Sequence, residues 1–403
     1  MKPIVFVEQF YYPDGWGGTE FPLALTAALA ASGSQLEVIC GSDQYAAVQG
    51  DPGPDPRSRG IRITRIPALL GGRVHDRKLL RQIWFCLCLV PCLVFRRRPR
   101  LLVSQTNPPL AVLITSFAAL LWRCPLIIIA MDVYPEVLTA HGTVREDSLF
   151  ARLLGRLFAW SYRSADRIVS LGPVMTRILE AKTNQKHGIA EISNWATGPL
   201  DTVRTSSLSE ALALPQGIRL LYSGNLGIGH EFDTLLAGFA KALEVEPSIG
   251  LVIVGAGKRL PEVRQAVATL GIGHAVRFQD LVPTAQLPET MGLADVGVVT
   301  LRQGFEGLMV PSKLFGYLAR GIPVLYIGPP SDVDFYLGRS GGGVAIRSGD
   351  VSGVSAAIQR FQADVAWRSA LGQAGSSYSR LEGSAERSLR RYLELVREVA
   401  GAD

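Results

Sequence analysis

Residues 306–325 read EGLMVPSKLFGYLARGIPVL, an order typical of a loop, a helix, a turn and a strand. Pro311 suits the first helical position, where its missing N–H costs nothing. Gly321 fits just past the helix end, and Pro323 prevents continuation. At about 100° per residue, three apolar side chains share one side of the helix and four small or polar ones share the other: Leu314, Phe315 and Leu318, and Ser312, Lys313, Gly316 and Arg320. The apolar side predicts packing on a sheet. The other side, near the positive end of the helix dipole, predicts an anion site.

Gly316 is the unusual residue of this helix, because an internal glycine costs roughly 1 kcal/mol relative to alanine. One explanation is that a ligand approaches the backbone closely there. The other is close packing of two helices, which is the more ordinary reason for a glycine at such a position. The sequence alone leaves both open.

The pattern of strand, loop and helix extends outward from this stretch through the whole chain. Apolar runs predict six strands in each half: 4–7, 36–40, 61–66, 101–104, 125–130 and 167–170, then 219–223, 251–254, 276–278, 296–301, 324–327 and 343–346. Alternation of this kind predicts an α/β fold with parallel sheets. We expect two Rossmann-like domains, at 1–196 and 217–380, joined by a linker at 197–216. A last segment, 381–403, contains a predicted helix at 385–399.

Composition agrees with a globular protein of two or three domains, since the 403 residues are 48% hydrophobic and 19% charged. The five cysteines lack the spacing of a zinc site and suit buried apolar positions in a reducing compartment. The first eight residues hold too short an apolar run for a signal peptide, so a cytoplasmic location is expected.

Residues 83–100 join a 13-residue apolar run, 83–95, to the arginines Arg96, Arg97 and Arg98. A membrane span needs about 20 apolar residues, so no transmembrane helix is expected. A buried helix that covers a sheet is the favoured interpretation of this stretch. The alternative is an anionic membrane surface as a partner, which would place the protein on the inner face of the plasma membrane. No aromatic-and-basic pattern of nucleic-acid binding is present.

Several common cofactor motifs are absent from the sequence. Gly255 and Gly257 follow a strand, but Leu260 stands where a dinucleotide fingerprint has its third glycine. No Walker A loop and no Gly-x-Ser-x-Gly elbow occur, and no two histidines have the spacing of a zinc pair. We therefore expect neither a cofactor nor a metal.

Three loops, at 15–19, 224–230 and 307–312, each precede a predicted helix and can present backbone N–H groups to an anion. Lys313 adds a mobile positive charge, and His230 adds a further donor. Several amide-rich loops with one lysine suit a diphosphate better than a single carboxylate. Asp132 lies two residues beyond the strand at 125–130, at its carboxyl end. It is either a site residue or the N-cap of the helix that follows.

Six motifs occur in an order that resembles the family-4 glycosyltransferases with the GT-B fold, closest to bacterial members of the colanic-acid and fucosamine-transferase kind: Asp132 to Glu136, Asn194-Trp195, Tyr222 to Gly227, Val254 to Gly257, Ala294 to Gly297 and Val310 to Leu314. The resemblance implies two domains that face a central cleft and a last helix that returns to the first domain. It also implies metal-independent transfer of a hexosyl or N-acetylhexosaminyl group with retention at the anomeric carbon. The donor would be a UDP-, GDP- or dTDP-sugar and the acceptor a lipid-linked saccharide in surface polysaccharide assembly.

The same resemblance implies roles for particular residues. Three positions are expected near the chemistry: Asp132, Glu306 and Lys313. Eleven are expected to bind the donor: Gly17, Gly18, Gly224, Asn225, His230, Gly255, Leu308, Met309, Val310, Ser312 and Gly316.

Two departures from the family are visible. Relatives commonly carry two glutamates eight residues apart, and the second binds the ribose of the nucleotide. Leu308 and Gly316 occupy those positions here, so Glu306 is the candidate substitute. Relatives also place an Arg and a Lys in the loop where Asn225 and His230 stand. Because of these losses, a non-catalytic partner of an active transferase stays an alternative function. Two others are a sugar-nucleotide epimerase of the same fold and a membrane scaffold.

Overall fold

A computed structural model describes residues 2–13, 19–42, 54–68, 78–184, 188–203, 212, 215–282 and 286–401. The predicted Gly17 and Gly18 of the first loop lie outside these residues, as does much of the predicted linker. Contacts divide the chain into two compact units. Unit 1 comprises Met1–Ser193, Gly307–Met309 and Glu386–Asp403, and unit 2 comprises Asn194–Glu306 and Val310–Ala385.

Seven described strands of unit 1 form one parallel sheet in the order β3-β2-β1-β4-β5-β6-β7. Their bounds are Ile4–Val7, Leu36–Gly41, Arg62–Ile66, Leu101–Gln105, Leu126–Ile129, Arg167–Ser170 and Ile189–Glu191, numbered β1 to β7. Most of their apolar side chains are fully buried because helices cover both faces, as parallel sheets require.

The helices of unit 1 are Glu20–Ala31, Lys78–Val94, Pro109–Trp122, Glu136–Ala140, Leu149–Ser164 and Pro173–Thr183, numbered α1 to α6. A short 3₁₀ turn occupies Pro56–Arg59. From β3 onward the chain enters β4, β5, β6 and β7 in one direction across the sheet. Right-handed crossovers therefore place α2, α3, α5 and α6 on the same face. No helix among the described residues is both long and apolar enough to cross a membrane.

Six described strands of unit 2 form a second parallel sheet in the order β10-β9-β8-β11-β12-β13. Their bounds are Arg219–Ser223, Gly250–Val254, Val276–Gln279, Val296–Thr300, Val324–Ile327 and Gly343–Ile346, numbered β8 to β13. The helices are Asp233–Val245, Leu260–Thr269, Leu287–Gly292, Lys313–Ala319, Asp332–Ser340, Val351–Ala363 and Val365–Leu381, numbered α7 to α13.

Tyr317 fixes α10 against the sheet of unit 2. Its hydroxyl donates to the carbonyl of Leu221 at 2.8 Å and accepts from the N–H of Ser223 at 3.0 Å. Its ring lies directly over Gly297, where a Cβ would come within 2.4 Å of the ring carbon Cγ. Because the ring is buried and both sides of its hydroxyl are bonded, α10 is held in a defined position over β8 and β11.

The last helix, α14, runs over Ala385–Ala400 and packs within unit 1. Tyr392 meets Phe21 edge to face, with ring centroids 5.6 Å apart. Ser388 donates to the carbonyl of Ser193 at 3.1 Å, and Glu398 pairs with Arg167.

Candidate active site

The structure places α10 slightly later than the sequence predicts. Its first residue is Lys313, so the prediction that Pro311 takes the first helical position is wrong by two residues. The N–H groups of Leu314 and Phe315 donate to the carbonyls three residues earlier, at 3.2 and 3.1 Å, which makes the entry a tight 3₁₀-like turn. The predicted end is confirmed, because Gly321 has φ +67° and the N–H of Ile322 donates to the carbonyl of Tyr317 at 3.0 Å.

The side chain of Lys313 does not extend into solvent. Its Nζ donates to the hydroxyl of Tyr222 at 3.0 Å and lies 4.2 Å from the centre of that ring. The same Nζ is 3.4 Å from Nε2 of His230. The sequence-based description of Lys313 as a mobile charge is therefore wrong, since three contacts hold its ammonium group.

His230 acts as an acceptor toward Lys313. Its Nδ1 is 2.8 Å from the carbonyl of Thr300, which can only accept, so Nδ1 carries the proton. Burial, with the nearby Lys313 as a second cause, lowers the pKa of His230 well below its usual value and keeps the ring neutral. Nε2 then has a lone pair that faces Lys313. The prediction that His230 is another donor to the ligand is wrong for this reason.

Burial also lowers the pKa of Lys313, from 10.5 to about 7. No carboxylate pairs with Lys313 among the residues described, since its polar neighbours are a phenol and a neutral imidazole. Lys313 is half-buried. An ammonium group that is partly removed from water without a counter-charge is costly, and a bound anion relieves that cost. The site is thus prepared for a negatively charged group.

The loop after β8 is held by two glycines of the loop after β9. A Cβ at Gly255 would lie 1.9 Å from the carbonyl oxygen of Gly224, and one at Gly257 would lie 2.4 Å from that of Leu226. The N–H groups of Gly224 and Leu226 donate to the carbonyls of Val254 and Ala256 at 2.9 and 2.8 Å. This packing accounts for Gly255 as a support of the loop. Gly224 in turn faces Lys313, since a Cβ there would lie 3.5 Å from the lysine Cε.

Tyr222 links this loop to Lys313; it begins one of the six family motifs, but no role was predicted for it. Its hydroxyl accepts from Lys313 and donates to the backbone carbonyl of Asn225 at 2.8 Å. The Asn225 side chain folds back over its own loop, with Nδ2 3.1 Å from the position of a Cβ on Gly227. The signal for Tyr222 was its place one residue before the end of β8, two residues before the loop begins at Gly224.

The segment before α10 is divided between the two units. Glu306 turns back to accept from the N–H of Gly304, at 2.9 and 3.1 Å, and belongs to unit 2. Leu308 and Met309 belong to unit 1, where the Leu308 carbonyl accepts from the N–H of Val133 at 2.8 Å and Met309 bridges to Asp132. Gly307 fits there because it has φ +67° and because a Cβ would come within 2.7 Å of Ile178.

Among the described residues, the one group within 4 Å of a Cβ built at Gly316 is Nη1 of Arg320, at 3.5 Å, and the same Nη1 donates to the Gly316 carbonyl at 2.9 Å. No described helix therefore packs closely against this glycine, and the structure gives no support to helix–helix packing, the more ordinary explanation from the sequence. A side chain would fit, so the missing glutamate leaves room on the face of α10 that also carries Ser312.

The carboxyl edge of the unit 1 sheet carries several buried polar side chains. Asp132 is half-buried beyond β5, and its N–H donates to the hydroxyl of Thr106 at 3.1 Å. The helix that follows has Pro135 as its N-cap, so Asp132 is not a helix cap. Glu8 and Gln9 follow β1 and are buried, and within the described residues one oxygen of Glu8 and both amide atoms of Gln9 have no hydrogen-bond partner. Burial raises the pKa of Glu8 to about 8.

A cavity of about 760 Å³ in unit 2 lies at the amino-terminal ends of its strands, beside Asp295, Arg320 and Pro323. Lys313 lies at the other edge of that sheet, beyond the carboxyl ends of the strands. Ligands of open α/β sheets bind at the carboxyl ends of the strands. We therefore place the candidate site at Lys313. No three His, Cys, Asp or Glu side chains of the described residues gather as a metal site requires.

The structure thus brings together Lys313, His230 and the Gly224 loop in unit 2, with Ser312, Val310 and Gly316 on or beside α10. Asp132, Leu308 and Met309 lie in unit 1. No site role was predicted for Tyr222 or for the carbonyl of Thr300.

Two models of known families match the chain. A glycosyl transferase 4-like domain matches residues 17–195, and glycosyl transferases group 1 matches residues 217–364. WbjE of Pseudomonas aeruginosa, described as a probable glycosyltransferase, is 29% identical over 236 residues, 57% of this chain. The match spans 58% of the length of that relative.

Two solved structures are similar over essentially the whole chain. Sucrose-phosphate synthase from Thermosynechococcus elongatus has 16% identity, coverage of 100% of both chains and a TM-score of 0.74. HepE of Anabaena, solved with UDP-glucose, has 14% identity, coverage of 99% of this chain and 100% of its own, and a TM-score of 0.74. These likenesses establish the fold and confirm the predicted α/β class with two Rossmann-like parallel-sheet units of the GT-B type.

Proposed function

Since residues 17–195 and 217–364 belong to two glycosyltransferase domain families, we propose that this protein transfers a sugar from a nucleoside-diphosphate sugar to a saccharide acceptor in surface polysaccharide assembly. The observation that carries the proposal is the Lys313 ammonium, held by Tyr222 and His230 without a counter-charge among the described residues. The donor diphosphate supplies the missing negative charge. UDP-sugars are the first donors to test, because HepE was solved with UDP-glucose.

Lys313 would act on the leaving group. As the bond between the anomeric carbon and the diphosphate oxygen breaks, negative charge grows on that oxygen, and a positive charge already in place lowers the barrier. Tyr222 and neutral His230 accept from Lys313 and so direct its remaining donor capacity to the ligand. The backbone N–H groups of Ser312 and Lys313, which precede the bonded N–H groups of Leu314 and Phe315, would contribute further donors.

The acceptor hydroxyl would attack the anomeric carbon on the face from which the diphosphate departs, so the configuration is retained. The new bond joins the acceptor oxygen to the anomeric carbon, and the hydroxyl proton passes to the departing phosphate oxygen. Retention and independence from metal ions rest on the family resemblance. Product NMR and transfer in the presence of a chelator test them separately.

The carboxyl edge of unit 1 is the proposed acceptor side. Asp132, half-buried beyond β5, offers a carboxylate suited to a sugar hydroxyl, and the buried Glu8 and Gln9 beyond β1 lie at the same edge of the sheet. A lipid-linked saccharide is the acceptor class we propose.

A non-catalytic role is the second candidate, and one observation favours it. Glu306, the proposed substitute for the family glutamates, bonds to the N–H of its neighbour Gly304. Gly316 has no side chain to reach a ribose. Such a protein would bind a nucleotide weakly or not at all and would act through an active transferase.

Calorimetric titration with UDP-, GDP- and dTDP-sugars, with Lys313→Met beside wild type, tests the proposal. We expect one donor to bind wild type and to bind Lys313→Met at least tenfold more weakly. Lys241→Met is the matched control, since Lys241 on α7 is exposed and donates to Ser352 on α12. Absence of binding by all donors would favour the non-catalytic role.

A further inference from the structure

Three neighbouring helices of unit 1, α2, α3 and α5, present apolar side chains to solvent, and we call this surface the three-helix face. On α2 the outward stripe follows helical spacing and is entirely aliphatic: Leu79, Ile83, Leu87, Val90 and Val94. The opposite side of α2 is buried on the sheet through Phe85, Leu89 and Leu93. The expected sheet-covering helix is therefore present, but its outer face is apolar as well.

The other two helices continue the pattern. α3 exposes Leu110, Phe117, Leu120 and Leu121, and α5 exposes Leu149, Phe150, Leu153, Leu157 and Trp160. With Leu80 and Phe95, the three-helix face holds 16 of the 23 large apolar side chains that are exposed among the described residues. An apolar groove of about 210 Å³ runs between α2 and α3, beside Val90, Ile114 and Phe117.

Charge on these helices has one sign. Their 17, 14 and 16 residues include no Asp or Glu. Arg152 and Arg156 stand one turn apart on α5 beside the apolar stripe, and both are exposed. Neither has a carboxylate partner within the part of the chain that the structure describes. Arg97 and Arg98 are exposed just after α2, where Arg98 donates to the carbonyl of Arg123.

We infer that the three-helix face docks on an anionic lipid membrane, with the apolar stripes in the interface and the arginines at head-group level. Soluble monomers rarely expose a contiguous apolar surface of this extent unless that surface binds a partner or a membrane. Arginines beside an aliphatic stripe with a tryptophan are typical of helices that lie in the membrane interface. The inference goes beyond sugar transfer and does not depend on donor binding.

A second copy of the chain is the other possible occupant, and the charges disfavour it. Symmetric pairing would place the same arginines of both copies in one interface without acidic partners on these helices. An anionic lipid surface instead supplies the opposite charge, worth about a fivefold gain in partitioning for each arginine.

Vesicle flotation tests this inference. Wild type should float with phosphatidylcholine vesicles that contain one-third phosphatidylglycerol, remain unbound with phosphatidylcholine alone, and dissociate as sodium chloride rises. Arg152→Gln with Arg156→Gln should lower partitioning about 30-fold, since each arginine contributes about fivefold. Leu87→Glu with Leu153→Glu should abolish it, and both positions are exposed, at 61% and 53%, so the fold tolerates the change.

Leu270→Glu, at a 42%-exposed leucine of unit 2, is the matched control and should float like wild type. Circular dichroism melts verify that each variant is folded. Equal flotation of the Leu87→Glu and Leu153→Glu double variant and the control would overturn the inference. So would a wild-type dimer in sedimentation equilibrium that this double variant converts to monomer, because a second copy would then cover the face.

Discussion

Replacement of Lys313 by methionine should make the protein more stable and inactive at once. Methionine keeps most of the apolar stem and removes the charge. Burial lowers the pKa of Lys313 from 10.5 to about 7. At 1.36 kcal/mol per pKa unit this corresponds to roughly 5 kcal/mol at most of lost stability, and partial solvation reduces it, so we expect a gain of about 2 kcal/mol at pH 6.

The gain should depend on pH in a defined direction. Below pH 7 the lysine is charged in both the folded and the unfolded chain, so wild type carries the full cost of the buried charge. Between about pH 7 and 10.5 the folded lysine is neutral while the unfolded one still binds a proton. Wild-type stability therefore rises with pH across this window, and the advantage of Lys313→Met shrinks toward zero.

Urea denaturation from pH 6 to pH 10 measures the stability difference, and sugar transfer to the acceptor measures activity. Lys241→Met, at an exposed lysine, should show neither effect. A variant that is no more stable than wild type at pH 6 would refute the argument from the buried charge. A variant that is more stable but keeps wild-type turnover would refute only the catalytic role of Lys313 and not the argument from its charge.

Three further perturbations are expected to give defined results. Gly316→Ala should stabilise α10 by about 0.5–1 kcal/mol in thermal melts. Gly316→Glu should tighten donor binding in calorimetry, because within the described part of the chain a Cβ at Gly316 meets only Nη1 of Arg320, at 3.5 Å; weaker binding by the glutamate variant would contradict a ribose beside Gly316, the position that the family resemblance implies. Gly255→Ala should cost about 2 kcal/mol or more and weaken donor binding, since its Cβ would lie 1.9 Å from the Gly224 carbonyl; an unchanged urea midpoint would count against it. Glu8→Gln should match the stability of wild type near pH 4.5 and exceed it at pH 8. Because the pKa of Glu8 is raised to about 8, wild-type stability falls as the pH rises through that interval. A difference in unfolding free energy between variant and wild type that is the same at both pH values would disprove the protonated state of Glu8.

Much of the fold could be predicted from the sequence. Apolar runs of four to six residues marked most of the strands, because strands of parallel sheets are buried on both faces. Strand β7, Ile189–Glu191, was missed because it has three residues and all three are half-buried. Helix α13, Val365–Leu381, was missed because Gly372 and Gly375 interrupt its helical pattern. Those glycines are needed there, since a Cβ at Gly372 would lie 2.2 Å from the carbonyl of Gly321.

The site was predicted less completely than the fold. Lys313 and the Gly224 loop could be selected from their positions after strands and at a helix start. The tautomer of His230 could not, because it depends on the carbonyl of Thr300, 70 residues away. The assignment of Leu308 and Met309 to unit 1 could not be predicted either, because their pairing with Val133 and Asp132 follows from tertiary contacts alone.

Proton uptake on donor binding tests the central claim most directly. Free Lys313, with a pKa of about 7, is largely neutral at pH 8, and a diphosphate beside it should restore its proton. Calorimetry with the best-binding nucleotide sugar, in two buffers of different ionisation enthalpy, should give a net proton uptake that approaches one proton per site in wild type and none in Lys313→Met. Equal uptake in both proteins, or tight binding with no uptake in wild type, would contradict the placement of the diphosphate at Lys313.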